Sequence, residues 1–362
     1  MSASALPSKS LSPPILAASA FLVFAVAAAL SLAMWDAERL PPLEAKALAV
    51  IFFLYAAPFL VLIHELGHLG TAVVLGWRVP ILAVGGFALR FSPLRFSAGA
   101  PAFGPNASGA VLAVPPERGG GRAGWIAVHA GGPAANILLA ALAAWAGFAA
   151  PPESAAYGMF LGIAGISLVS GLYNLIPFGG SDGRHILADL LGANFAARGR
   201  HLRLMAAMID GKRPREWDAS LARQVEADSL WAGDATGSLY VYAWHLDRGE
   251  IAEARAVLRR LRQHGATSEA LSVEEAFTVA MFDGQAAAAR QSLDRAQSWQ
   301  IRKLPSYWRA RAAVTRLEAD APAAREALRK WKIACADWPY TTQEEWDWLG
   351  TIEARVTALK TP

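Results

Sequence analysis

The chain has 362 residues, 54% of them hydrophobic and 18% charged, a balance more apolar and less charged than that of an ordinary soluble domain. Its formal charge of +4 comes without a basic run interleaved with aromatics, so nothing in it tracks a phosphate backbone and no nucleic-acid partner is expected. Cys335 is the single cysteine, which excludes an intrachain disulfide and leaves His and carboxylates to hold any metal.

Four stretches are long and apolar enough to span a bilayer: Ile15–Trp35, Ala47–Trp77, Trp125–Ala150 and Ala155–Phe178. The first could instead be a signal peptide. Its long uncharged run and the lack of a small-residue cleavage site close behind it favour a retained helix. Between the second and third stretches lie Arg78, Arg90, Arg95, Arg118 and Arg122 against Glu117 alone, and after Phe178 come Arg184, Arg198, Arg200 and Arg203. Both segments are therefore expected in the cytosol, with both termini on that side. Val79–Arg95 alternates weakly around Gly85-Gly86 and Ser92-Pro93, which predicts a short β-hairpin lying against the membrane.

The second stretch closes on Ile63-His64-Glu65-Leu66-Gly67-His68. Residues four apart on a helix lie about 40° apart around the axis and about 6 Å along it, so both imidazoles can reach one ion. His-Glu-x-x-His works this way in zinc hydrolases, with the Glu as general base. The uncharged run Ala47–Ile63 precedes it, and an ionisable group in a bilayer costs roughly 2.5 kcal/mol or more, so three together call for a cation. A catalytic zinc usually takes a third protein ligand and keeps one position open. Asp182 follows the fourth stretch on the same side of the membrane, although an Asp before a Gly is by itself an ordinary turn.

His64-Glu65-x-x-His68, Asn174-x-x-Pro177 and the Asp182-Gly183 pair together resemble the site-2 protease family of intramembrane zinc metalloproteases. The resemblance covers roughly Ala47–His185. It implies Zn2+ held by His64, His68 and Asp182, Glu65 as catalytic base, and Asn174 binding or polarising the scissile carbonyl. Gly131-Gly132-Pro133-Ala134-Ala135-Asn136 looks like the family's small-residue motif. Its glycines suit close helix contact, and Asn136 is a weaker candidate that either meets substrate or bridges helices. Neither a PDZ domain nor a CBS pair accompanies this core. His129 either lines the site or bridges helices, and His185 could support the metal carboxylate.

The last third repeats at an offset of 35 residues: Ala254, Ala289 and Ala324 align, as do Arg255, Arg290 and Arg325, and Leu258, Leu293 and Leu328, with Gly249, Gly284 and Ala319 at matching turns. The spacing resembles the tetratricopeptide helical hairpin. The expected fold is an all-α membrane protein with about four transmembrane helices and a short β-hairpin insertion, followed by a cytosolic tetratricopeptide-like domain. Its parts are a transmembrane metalloprotease core over 1–193, a helical linker over 194–228 and helical repeats over 229–362. The expected activity is hydrolysis of a peptide bond in or near a transmembrane segment of a membrane-protein substrate within the lipid bilayer, with a protein partner on the repeats. The rival is an inactive membrane scaffold, and a metal transporter is a third reading that lacks a chain of polar residues across the spans. Glu65 separates them, since a structural metal needs no base beside it.

Overall fold

The computed structural model describes residues 42–85, 87–91, 94–98, 109–117, 120–232, 235–338 and 341–359. The expected first span, Ile15–Trp35, lies outside them. In chain order the first half holds α1 (Pro42–Val74), β1 (Arg78–Val84), β2 (Phe87–Phe91), β3 (Leu94–Ala98), β4 (Gly109–Val114), α2 (Gly121–Ala149), α3 (Ala155–Leu175) and α4 (Asp182–Leu190). The second half is helical: α5 (Phe195–Ile209), α6 (Ala219–Ala232), α7 (Ala235–Asp247), α8 (Ile251–Gln263), α9 (Glu269–Thr278), α10 (Ala286–Leu293), α11 (Pro305–Leu317), α12 (Ala321–Asp337) and α13 (Gln343–Thr357). The chain forms two compact units, one of residues 1–85 and 108–195, the other of 86–107 and 196–362.

In the first unit α2 packs against α1, α3 and α4. Glycines set the contact with α1: a Cβ at Gly67 would collide with the Gly131 carbonyl, and one at Gly131 would lie 2.6 Å from the Gly67 oxygen. α1 ends where Gly76 turns left-handed at φ 71°, with Trp77 N–H donating to the Ala72 carbonyl at 2.8 Å. Gly121–Ala149 and Ala156–Leu175 are each long and apolar enough to cross a membrane.

β1 pairs antiparallel with β4, and β2 with β3. The expectation of a single hairpin is corrected here by a small antiparallel sheet. Gly109–Val114 is a short apolar run without alternation, so its pairing with β1, and not its own periodicity, makes it a strand.

The second unit has one apolar core running from Leu204 to Val356. Leu204, Trp217, Ala222 and Val225 belong to it, so the segment expected as a linker supplies core side chains. Arg90 of β2 is buried and donates to the Ile209 carbonyl at the end of α5, satisfying an acceptor that the helix itself leaves open. The helical pairs α7/α8, α9/α10 and α11/α12 repeat in detail. Ala254, Ala289 and Ala324 are fully buried where helices touch. Gly249, Gly284 and Ala319 take φ of 76°, 66° and 60° at equivalent turns. Arg255 pairs with Asp283, and one repeat later Arg290 pairs with Glu318. Glu274, Arg309 and Glu344 stand 35 residues apart on α9, α11 and α13. Arg309 is buried at the centre, 2.6 Å from both Glu274 and Glu345 and over the Phe277 ring.

Two predictions follow from this unit. Ala319 is the one non-glycine among the described residues with positive φ, so Ala319→Gly should stabilise the unit by about 0.5–1 kcal/mol, read as a higher denaturation midpoint. Burial pushes the Glu344 carboxyl from 4.5 up to about 8, against the attraction of Arg309. The folded chain therefore keeps a proton that the unfolded chain has lost between those values, and stability falls as pH rises through that window. Glu344→Gln should flatten the fall in chemical-denaturation curves taken from pH 4.5 to 8; an unchanged slope would assign it to other groups.

Candidate metal centre

His64 and His68 sit one turn apart on α1 and turn the same atom inward, their Nε2 atoms 3.1 Å from each other. Asp182, in the first turn of α4, completes a triangle with Oδ2 at 3.0 Å from His64 Nε2 and Oδ1 at 3.3 Å from His68 Nε2. Ligands at zinc-like bond lengths of about 2.0–2.1 Å and tetrahedral angles stand about 3.3 Å apart. The donor set is two imidazoles and one carboxylate, with one ligand atom of each within 4.8 Å of the others, so the group could hold a metal.

Local structure delivers each ligand. Ser181 caps α4, accepting from Phe178 N–H at 3.2 Å and Arg184 N–H at 3.3 Å, while its hydroxyl donates to the Ile176 carbonyl at 2.6 Å. Gly183 lies against the Leu175 carbonyl, where a Cβ would collide, so the Asp-Gly pair couples a ligand to the one residue that lets α4 start so close to the end of α3. Burial by itself pushes the Asp182 carboxyl up, but its hydrogen bonds with His64 and His68 outweigh that and hold it well below the usual carboxylate range. Gly132 of α2 faces the imidazoles: a Cβ there would lie 2.7 Å from His64 Nε2 and overlap His68 Nε2.

Glu65 is buried beside Gly109 of β4, where a Cβ would lie 2.5 Å from its Oε1. No hydrogen bond among the described residues consumes its carboxylate. Asn136, fully buried on α2, lies 3.3 Å from His64 Nδ1 and 3.2 Å from the Ser170 hydroxyl. Asn174 donates to the Ser170 carbonyl one turn back on its own helix at 3.1 Å and makes no hydrogen bond to the cluster. His129 stacks between Trp125 and His185, with Nδ1 4.0 Å from Asp182 Oδ1 and Nε2 3.8 Å from the buried Asp189.

Of the residues singled out in the sequence, the structure brings His64, His68 and Asp182 together with Glu65 alongside; sequence reasoning misses Gly109, Ser170, Asp189 and the space-keeping role of Gly132. For Gly132 a signal existed in the Gly131-Gly132 pair; for the others only the folded geometry reveals them. The three residues could hold a cation, and the Glu65 carboxylate, which makes no hydrogen bond among the described residues, lies next to His64 on the same helix.

If Gly132 keeps the ligand space open, Gly132→Ala should reduce bound metal at least about tenfold, the scale of losing ligand geometry. Gly70→Ala on α1, with nothing within 4 Å of its Cβ, should leave metal content unchanged. Elemental analysis of the purified proteins decides, and full metal in the Gly132 variant would mean the ligands meet elsewhere. Comparisons with family models, curated proteins and solved structures find no match to this chain, so the reading of the site rests on its own geometry.

Proposed function

We propose that this chain is an intramembrane zinc metalloprotease. The observation that carries the reading is the close group of His64, His68 and Asp182 donors, with Glu65 next to His64 on the same helix and, among the described residues, making no hydrogen bond. The membrane setting is supported by α2 and α3, whose apolar windows are only 33% buried. A soluble core helix would hide most of that surface, whereas Leu138, Trp145 and Phe148 on α2 and Leu172 on α3 face outward.

His64, His68 and Asp182 would hold the zinc. When bound, the ion supplies Lewis acidity, polarising a carbonyl oxygen and acidifying water. Glu65 takes the proton of the attacking water and passes it to the leaving amine. Asn174 keeps one amide N–H beyond its bond to Ser170 and can donate it to the oxyanion. A substrate helix has its backbone groups paired internally, so it must unwind before attack. β4 has β1 as its one strand neighbour among the described residues and begins at Gly109 beside Glu65, so its open edge can take the unwound segment as an added strand. The helical pairs form a tetratricopeptide-like array that recruits protein partners. Arginine placement supports an active site and termini on the cytosolic side.

Glu65→Gln preserves size but cannot accept the proton, so metal should stay while turnover of a transmembrane substrate drops roughly 10²-fold or more. His68→Ala and Asp182→Ala should instead lose zinc. A Glu65→Gln protein that cleaves at the parent rate would favour the scaffold. For topology, a cysteine placed at Pro42 should react with an impermeant reagent in whole cells while one at Ala100 does not; the opposite pattern inverts the orientation.

A further inference from the structure

His64 and His68 present the same nitrogen to Asp182 but solve the opposite end of the ring differently. To give its Nε2 lone pair to a cation, a neutral imidazole must carry its proton on Nδ1, and that proton needs an acceptor. His68 has one: Nδ1 lies 2.6 Å from the Val128 carbonyl, which can only accept. The Gly132 amide is also 3.3 Å from that nitrogen, but the shorter contact to the carbonyl decides the tautomer. Among the described residues, His64 has no carbonyl partner. Its Nδ1 faces the Asn136 amide at 3.3 Å.

With the amide nitrogen turned toward His64, Nδ1 would have to accept and the proton would move to Nε2, where it blocks the cation. In that orientation the Asn136 oxygen also has no hydrogen-bond partner among the described residues, although the residue is fully buried. Amide oxygen and nitrogen have nearly the same shape, and a half-turn of the group exchanges them. After the exchange the oxygen faces two groups able to donate, His64 Nδ1–H and the Ser170 hydroxyl at 3.2 Å. Either orientation leaves one amide atom without a protein partner, but only the second is compatible with a cation at His64 Nε2.

Resting on the metal reading above, we propose that Asn136 is a positioning residue that fixes the metal-binding tautomer of His64 by accepting its Nδ1 proton on the amide oxygen. The placement repeats at helical spacing. Val128, Gly132 and Asn136 stand four residues apart on one stripe of α2, where they serve in turn as acceptor for His68, as open space for both Nε2 atoms, and as acceptor for His64. This role differs from substrate contact and from helix bridging, since it acts on the metal through a ligand.

Three variants of the full chain, purified in detergent and checked for fold by circular dichroism, separate these roles: Asn136→Leu, Asn136→Asp and Ser170→Ala. Zinc affinity is read by chelator competition, and the d–d absorption of cobalt-loaded protein reports the ligand field at the ion. Asn136→Leu removes the acceptor and should weaken zinc about 10–100-fold, the usual cost of losing an outer partner. Asn136→Asp keeps an acceptor and should bind zinc within a few-fold of the parent, with shifted cobalt bands because a carboxylate makes His64 a stronger donor. Ser170→Ala removes the helix bridge alone and should leave both readouts near the parent. Equal affinity of Asn136→Leu and parent overturns the proposal. So does Asn136→Asp falling as far as Asn136→Leu, or Ser170→Ala matching that loss, because bridging would then be the role. A parent chain that holds no zinc overturns the metal reading itself, a result distinguishable from all of these.

Discussion

Two helices brought into backbone contact cannot both carry side chains where they touch, and the site depends on α1 and α2 meeting in this way. Gly67 and Gly131 face each other so closely that a methyl on either would collide with the other's backbone. This contact places the Nε2 atoms of His64 and His68 over Gly132, the one position on α2 where an absent side chain leaves them room. It also brings Val128 and Asn136 within reach of the two Nδ1 atoms. Widening the helices by one methyl would therefore disturb the ligands, their outer partners and the cavity together. Close packing transmits such shifts because the interior has no slack to absorb them.

Asp182 reaches the two histidines by a different device. Asp182 belongs to a short helix whose start is fixed by a capping serine and by Gly183 seated on the Leu175 carbonyl. The carboxylate is thus carried by a rigid turn and not by a long flexible arm, which lowers the entropy lost when the three ligands converge. Behind it, His129 is held between two rings and faces both Asp182 and Asp189. Support for the carboxylate therefore comes from α2 as well as from α4 itself.

Much of this was legible in the chain before any folding. His64, Glu65 and His68 could be read because helical periodicity converts a spacing of four into a shared face, and ionisable groups that close a long apolar run call for a partner. Asp182 could be expected beside them because the arginine distribution predicts the same side for the two segment ends. The 35-residue repeat could be read down to its turns, since Gly249 and Gly284 mark left-handed positions and Ala319 takes the same conformation despite its Cβ. The strand Gly109–Val114 could not, because its six residues carry no alternation and acquire their identity from a partner remote in sequence. The membership of 196–228 in the second core was equally hidden, since burial of Leu204 and Trp217 depends on helices that follow them. Asn136 was visible as a buried amide, but which nitrogen it serves is a question of orientation that no spacing answers.

The repeats look interchangeable along their outer contacts, where Arg255–Asp283 is copied one period later by Arg290–Glu318. Inside, they are not. The equivalent inner positions read Leu239, Glu274, Arg309 and Glu344, with the single cation between acids on both sides. Excising the period that contains Arg309 would leave the outer pair Arg255–Asp283 in place yet set Glu274 against Glu345 in a buried space without the guanidinium that now lies between them, a strongly destabilising arrangement. The array is thus a sentence of fixed word order and not a chain of identical beads: its number of repeats is written into its core, and loss or duplication of one period by recombination would be rejected at the level of folding.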